Sequence, residues 1–259
     1  MAEPVDILNP LVAEMLKTMG TVFQKFGVDY YLVGALARDI RLSAHEDYAA
    51  KRRTKDVDIA VLLDDEEEFY AIKDALIATG DFQQSTVKEI KLFYKEAIEV
   101  DLLPFGEIET EDRRLQLSHR ALLSMDMSGF KEVHSFVETI TIAEGLTLDV
   151  CTLEGLVILK LVANDDDPSR TKDIMDIEHF IEVYFDLNSD KIYTAFIYVI
   201  DLYDTDIPEY LQLVSARVIG RKMKDILTGH DQTAEHIKAI LNKRPVATWQ
   251  AMLDGMNEE

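Results

Sequence analysis

The sequence predicts an α+β protein, with a small mixed β-sheet flanked by helices in the N-terminal part and a helical domain after it. Before residue 150, short runs of β-branched and aromatic residues alternate with helix-like segments. After residue 150, apolar residues recur every three or four positions. We therefore expect one domain over 1–150 and a second over 151–259, joined without a flexible linker and meeting at a cleft.

The N-terminal elements are predicted in chain order. Apolar residues at three- and four-residue steps over 8–26 predict an amphipathic helix that ends at Gly27. VDYYLVG, 28–34, predicts a buried strand that leads into a turn and a second helix, ALARDIRLSA. VDIAVLL, 57–63, is a strand, and the following DDEEE is typical of a helix start. More strands are expected in FQQSTV, KLFYK and IEVDLLP (82–104) and, at least twice, in 132–152.

The C-terminal part is expected to be helical throughout. Interruptions at DDDPS, NSD, DIP and TGHDQT separate the helical patterns, and Trp249 is interpreted as a packing anchor. The predicted helices are 153–165, 172–185, 191–203, 208–227 and 234–243.

Charge and composition limit the function classes. With 27 basic and 49 acidic residues the net charge is −22, which opposes a broad nucleic-acid footprint. The single cysteine, Cys151, excludes an internal disulfide, and the sequence shows neither a signal peptide nor a membrane-spanning run. We therefore expect a cytoplasmic protein. One basic cluster, Lys51–Lys55, is interpreted either as a phosphate contact, with Arg53 as its candidate, or as a solvated loop.

Three acidic residues interrupt apolar strands. Asp56 and Asp58 are two apart in TKDVDIAV, so their side chains point to one face of the strand, and Asp101 stands alone in IEVDLLPFG. A buried carboxylate is costly unless it is paired or bound to a metal, and carboxylate oxygens suit Mg²⁺ or Mn²⁺. If the strands are neighbours, the three acids converge on metal ions that arrive with a nucleotide. The turn at Gly34 and Ala35 places backbone N–H groups and a helix N-terminus where they can face an anion.

LVGALARD, KDVDIAV and VDLLPFG together resemble the motifs of the nucleotidyltransferase superfamily that includes DNA polymerase β. The resemblance implies transfer of an NMP from an NTP to a hydroxyl, with release of pyrophosphate. It implies that Asp56 and Asp58 hold both metals, that Asp101 completes the site as or beside the general base, and that Gly34 and Ala35 approach the triphosphate. The sequence departs from the family at Ala35, where Ser or Gly is usual, and in the long gap before Asp56.

Within the superfamily the sequence is most similar to the AbiEii/AbiGii abortive-infection toxin group, which pairs a nucleotidyltransferase fold with a helical domain. GLVILKLVAND, with Lys160, and SRTKDIMDI, with Asp173, resemble the later motifs of that group. The resemblance implies that both residues bind nucleotide and that a cognate antitoxin exists. From the residues alone, Lys160 either neutralises a triphosphate or extends its tip to solvent, and Asp173 is explained by helix capping.

Several alternatives remain open. LVGALARD also resembles the head motif of CCA-adding and poly(A) polymerases, although Arg38–Asp39 is explained equally well by a local ion pair. The acceptor is expected to be tRNA or a protein, positioned partly by the loop 41–55. A polycationic small molecule of the aminoglycoside type also suits the acidic surface. The remaining hypotheses are a nucleotide-binding regulatory module with little turnover and an antitoxin-like interaction protein.

Overall fold

The computed structural model describes residues 9–43, 48, 56–117, 123–143 and 145–258. The chain forms two compact units, Met1–Thr152 and Leu153–Glu259. The first unit contains the sheet and the second is helical, so the predicted α+β fold is confirmed. Each unit is described by itself.

The first unit begins with the predicted amphipathic helix, α1 (Pro10–Phe26). The side chain of Asn9 accepts a hydrogen bond from the Leu11 N–H at 3.0 Å, and Gly27 ends the helix with a φ of +70°. The other helices of this unit are α2 (Gly34–Leu42), α3 (Glu66–Ala78) and α4 (Phe130–His134). The N-terminus of α3 confirms the prediction from DDEEE, because Asp65 caps the helix and Glu66–Glu68 fill its first turn.

Seven strands of the described residues form one mixed sheet in the order β3-β4-β5-β2-β1-β9-β8. Next to the central strand β2, β5 runs parallel and β1 runs antiparallel. β2 therefore has a hydrogen-bonded neighbour on each side and lies in the interior of the sheet, which agrees with its long apolar sequence. The strands are β1 (Tyr30–Val33), β2 (Asp56–Leu63), β3 (Phe82–Gln84), β4 (Lys91–Tyr94), β5 (Ile98–Gly106), β8 (Glu138–Ala143) and β9 (Leu146–Val150).

A small hairpin, β6 (Arg114–Leu117) and β7 (Leu123–Asp126), and the short helix α4 have no counterpart in the sequence prediction. An ionic network stabilises this region. Arg113, whose φ is +58°, donates to Glu109 at 2.6 Å and to the fully buried carboxylate of Glu132 at 2.8 Å. The prediction of at least two strands within 132–152 is confirmed by β8 and β9, while residues 132–134 belong to α4.

The second unit is an assembly of helices, as predicted. The predicted interruption at NSD is found, because Asn188 has non-helical φ and ψ and kinks α6 between two helical parts. The predicted helix 191–203 is shorter than expected: its first part ends at Ala195, and only Ile197–Ile200 follow as a short helix. The helices are α5 (Leu153–Asp166), α6 (Thr171–Ala195), α7 (Ile197–Ile200), α8 (Tyr210–Ile226), α9 (Asp231–Asn242) and α10 (Ala247–Met256).

Helix α10 was not predicted, and two glycines explain how it packs. A Cβ at Gly220 of α8 would lie 1.9 Å from the Met252 carbonyl oxygen, and one at Gly255 would lie 2.2 Å from the Arg217 carbonyl oxygen. Only glycine permits so close an approach of the two backbones. Trp249 is buried beneath Arg244, as expected of a packing anchor. Among the described residues no helix is both long enough and apolar enough to cross a bilayer.

Candidate active site

The acidic residues predicted from the sequence come together on one face of the sheet. Strands β2 and β5 are parallel neighbours, and their register places Asp58 beside Asp101 and Asp56 beside Glu99. Neighbouring strands lie about 4.8 Å apart, and residues in register point to the same face. Asp58 and Asp101 are therefore adjacent, as the sequence analysis required, while Asp56 lies two residues earlier on the same face and is exposed.

Gly34 lies directly against Asp58. The preceding residue, Val33, pairs with Asp58 across the antiparallel β1–β2 ladder. Gly34 itself has a φ of +66°. A Cβ at position 34 would lie 1.9 Å from Oδ2 of Asp58. The strand–Gly34–helix turn thus leaves space for the carboxylate, and Ala35 follows in the first turn of α2.

Lys91, which the sequence analysis did not single out, supplies a positive charge on this face. In the antiparallel β4–β5 ladder it lies opposite Asp101. Its Nζ forms an ion pair with Oδ1 of Asp101 at 3.4 Å and donates a hydrogen bond to Glu99. Burial alone would lower the pKa of Lys91. The hydrogen bond to Glu99 and the negative charges of Asp101 and Glu99 outweigh this effect, so the pKa is raised.

Asp101 is the most constrained acid of the site. Burial raises its pKa above the usual 3.8, against the opposing effect of Lys91 and Lys88. Its Oδ1 is buried and, despite the ion pair, accepts no hydrogen bond. A buried carboxylate oxygen without a hydrogen bond is costly unless another ligand satisfies it.

The carboxylates fit a divalent metal by their chemistry, since Mg²⁺ and Mn²⁺ prefer such oxygens and Oδ1 of Asp101 has an unused acceptor site. In the described part of the chain, however, no group of three or more His, Cys, Asp or Glu side chains is arranged to hold a metal ion. Asp58 and Asp101 are the two adjacent candidate ligands. Their side chains, together with Asp56, would have to turn toward a common point when a metal binds.

In the second unit, Lys160 lies on α5 and faces two acids of α6. Its Nζ donates to Asp173 at 2.9 Å and to Asp176 at 2.6 Å, and the lysine side chain is only 11% exposed. Asp173 also pairs with Arg170 at 2.7 Å. These carboxylates are the counterions of the buried Lys160 ammonium. The capping interpretation of Asp173 is wrong: Asp173 lies in the first turn of α6, which has no side-chain cap, and its carboxylate pairs with Lys160 and Arg170.

Two other predicted features have different outcomes. Arg38 and Asp39 form an ion pair at 2.8 Å, in agreement with the local ion-pair interpretation, and Asp39 is buried. Arg53, with the cluster Lys51–Lys55 and most of the loop 41–55, lies outside the described residues. Its predicted phosphate contact stays a prediction.

A glycine turn set against an acid of the neighbouring strand, with another acid beside it on a parallel strand, is the arrangement that the sequence analysis expected of a nucleotidyltransferase. The chain belongs to the family described as "Nucleotidyl transferase AbiEii toxin, Type IV TA system", whose model matches residues 22–259. The resemblance to the AbiEii group is thereby confirmed. The chain is a nucleotidyltransferase enzyme, which transfers an NMP.

The solved structures that the chain matches are distant in sequence. The antibiotic-resistance factor ANT(2'')-Ia is 11% identical over 87% of this chain and 99% of its own, with a TM-score of 0.39. An antigenic nucleotidyltransferase-like protein from Paracoccidioides brasiliensis is 15% identical over 90% of this chain and 94% of its own, with a TM-score of 0.42. A CCA-adding enzyme is 16% identical over 98% of this chain and 70% of its own, with a TM-score of 0.35. No curated protein matches the sequence.

Proposed function

We propose that the acidic face of the sheet is the active site of a metal-dependent nucleotidyltransferase that moves an NMP from an NTP to an acceptor hydroxyl on tRNA or on a protein. The observation that carries the proposal is the placement of Gly34 against Asp58, with Asp101 beside Asp58 on the parallel strand. An acid that needs a glycine neighbour to fit, next to a buried acid whose Oδ1 is held only by the long ion pair with Lys91, is costly for stability. Such a cost is typical of a functional site.

The reaction forms a bond between the acceptor oxygen and the α-phosphorus, and breaks the bond from that phosphorus to the pyrophosphate. Asp101 takes the proton of the attacking hydroxyl, and its raised pKa suits a general base. The N-terminus of α2, which begins at Gly34, faces the triphosphate with its backbone N–H groups. Pyrophosphate leaves with the electrons of the broken bond.

Asp56, Asp58 and Asp101 are the residues that would hold Mg²⁺ or Mn²⁺. When bound, these ions neutralise the triphosphate and stabilise both the attacking and the leaving oxygen. The protein's own contribution is to keep Asp58 and Asp101 on neighbouring strands, where their separation is fixed by the sheet rather than by a loop.

Lys160 and Arg53 belong to the proposal as residues that bind the nucleotide's phosphates, and Asp173 as the nucleotide-site residue that holds Lys160 in place. A phosphate that binds Lys160 must compete with Asp173 and Asp176, which hold its Nζ at 2.9 and 2.6 Å. Nucleotide binding at this lysine therefore requires an exchange of ion-pair partners.

The biological role we propose is that of the toxin in an abortive-infection toxin–antitoxin system. Membership of the AbiEii family supports it, and a cognate antitoxin follows from it. Transfer of a nucleotide to an essential tRNA or protein would inactivate that acceptor and block growth. The identity of the acceptor therefore decides whether the enzyme acts as a toxin.

The experiment incubates the purified protein with each α-³²P-labelled NTP, Mg²⁺ or Mn²⁺, total tRNA and cell extract. Asp58→Asn is compared with Asp74→Asn, which changes an exposed acid of α3 by the same single charge. We expect label on RNA or on protein with the wild type and Asp74→Asn, and none with Asp58→Asn. Label that persists with Asp58→Asn would place the chemistry elsewhere.

A second candidate acceptor is a polycationic small molecule, and the net charge of −22 favours it. In the same experiment, adding an aminoglycoside would yield a labelled small product. Label on the small molecule alone, with none on RNA or protein, would support this acceptor over the macromolecular ones.

A further inference from the structure

Exposed apolar side chains are concentrated on one part of the second unit. Among the described residues, five of the ten large hydrophobic side chains with substantial exposure fall within residues 193–211. We call these five the 193–211 surface: Tyr193, Ile197, Tyr198, Leu202 and Leu211. Single exposed apolar residues are normal on a protein surface, but a cluster marks an interaction site.

The segments that carry this surface adjoin one another. The end of α6, the short helix α7 and the start of α8 follow within 19 residues, and the Tyr210 hydroxyl donates to the Ile200 carbonyl oxygen at 3.1 Å. Burial, with smaller effects from Tyr193 and Asp201, raises the pKa of Tyr210. Alternate residues of the same segments, Ile192, Val199 and Leu213, point into the unit and are buried.

The charges of these segments have one sign. From Ile192 to Ala216 the sequence contains no lysine or arginine. It contains four acids, and all of them are exposed: Asp201, Asp204, Asp206 and Glu209. Basic residues border the surface on one side. The Nζ of Lys222 lies 5.8 Å from the centroid of the Phe196 ring, and the Tyr198 hydroxyl donates to Glu258, which is paired with Arg217 and Arg221. The 193–211 surface is thus apolar and aromatic, with an acidic rim along residues 201–209.

We infer that the 193–211 surface docks a basic, amphipathic segment of a partner protein. Charge complementarity selects this occupant. A second copy of the chain would bring the same four carboxylates and be repelled. Nucleic acid or an anionic membrane would meet a rim of like charge. Exposed tyrosines suit a protein interface, because they give large contact area with few rotatable bonds.

The binding test uses a fluorescein-labelled 18-residue helical peptide, with leucines at i, i+3, i+4 and i+7 and lysines elsewhere. A scrambled peptide of the same composition lacks the apolar face. Peptide binding is measured by fluorescence anisotropy in about 150 mM salt, which screens non-specific attraction to the acidic chain. We expect the amphipathic peptide to bind the wild type at least tenfold more tightly than the scrambled one.

Variants locate the binding. Ile197→Gln/Leu202→Gln should weaken amphipathic-peptide binding at least tenfold. The matched control Met175→Gln/Val246→Gln removes two equally exposed apolar side chains outside the surface, and should leave binding unchanged. Asp204→Asn/Asp206→Asn should weaken it several-fold and flatten its salt dependence. All six positions are exposed, so the fold is kept, as thermal unfolding would verify.

Three results would overturn the inference. One is equal binding of the two peptides. Another is unchanged binding by Ile197→Gln/Leu202→Gln. The third is a concentration-dependent dimer in sedimentation that this variant abolishes, since the occupant would then be a second copy. The inference does not depend on transfer activity, and both apolar double variants should transfer label as the wild type does.

Discussion

Gly34 and Asp58 fit together only because residue 34 has no side chain: a Cβ there would lie 1.9 Å from the Asp58 carboxylate oxygen. The obstacle is the end of a flexible side chain, so an added methyl group would displace the Asp58 carboxylate rather than the backbone. The same glycine has a φ of +66°, which strains any other residue. The turn and the acid are therefore one structural unit.

Gly34→Ala should lose more activity than stability. We expect the free energy of unfolding to fall by about 1–2 kcal/mol, the cost of a left-handed conformation for alanine. Transfer activity should fall at least about 100-fold, because the methyl group displaces Asp58. Gly27→Ala is a matched control: its φ is +70° and a Cβ there meets nothing within 4 Å. It should show the same loss of stability with normal transfer; equal activity losses in both variants would contradict the role of the Asp58 contact.

The three acids and the glycine turn could be predicted because each breaks a local pattern. An aspartate inside an apolar strand is visible in the sequence without knowledge of its neighbours, as Asp58 and Asp101 show. Their adjacency needed only the assumption that the two strands are neighbours, and the β2–β5 register places the two side by side.

Lys91 could not be predicted, because its role depends on the register of the β4–β5 ladder, which no local pattern reveals. In the sequence it is only the first residue of the predicted strand KLFYK. Helix α10 and the hairpin β6–β7 were missed for a related reason. The hairpin strands are four residues long, and the glycine of α10 weakens the helical pattern while serving a contact with α8.

Asp101→Asn should abolish transfer without destabilising the protein. Burial raises the pKa of Asp101 in the folded state, so just above pH 3.8 the folded state binds more protons than the unfolded state. Stability therefore falls as the pH rises through this range, and the loss is complete at neutral pH. The asparagine variant lacks this loss. In metal-free buffer at pH 7 its melting temperature should equal or exceed that of the wild type, while transfer falls about 10²–10⁴-fold. A clearly lower melting temperature would show that the charge stabilises the fold.

Lys73→Met should destabilise the first unit strongly. Lys73 and Glu89 form an ion pair at 2.9 Å, and both side chains are almost completely buried. Removing the lysine leaves a buried carboxylate, which costs about 3–5 kcal/mol. Lys95→Met, which breaks the exposed pair with Glu14, should destabilise the protein far less, because water already screens that pair. Urea unfolding measures both, and Lys73→Met/Glu89→Leu should recover most of the loss.

Asp176→Asn tests whether Lys160 binds nucleotide. The aspartate holds the lysine Nζ at 2.6 Å. Removing its charge weakens the ion pair that a phosphate must replace. If Lys160 contacts the triphosphate, NTP should bind more tightly, by about two- to tenfold, as measured by calorimetry in the presence of Mg²⁺. Lys160→Met should weaken the same binding. Unchanged NTP affinity in both variants would leave Lys160 as a structural ion pair between α5 and α6.

Lys91→Met should increase the dependence of the first unit on divalent metal. In the wild type, the ammonium lies 3.4 Å from Asp101 and bonds Glu99, so it offsets two carboxylates of the acidic face. Without it these carboxylates repel each other, and the melting temperature in EDTA should fall by several degrees. Mn²⁺ then restores the missing positive charge, so the rise in melting temperature on adding Mn²⁺ should be larger than in the wild type. Lys88→Met removes an exposed lysine whose charge also acts on Asp101, and it should change the response to Mn²⁺ much less. Equal metal responses in all three proteins would mean that Lys91 and the metal ion act on different carboxylates.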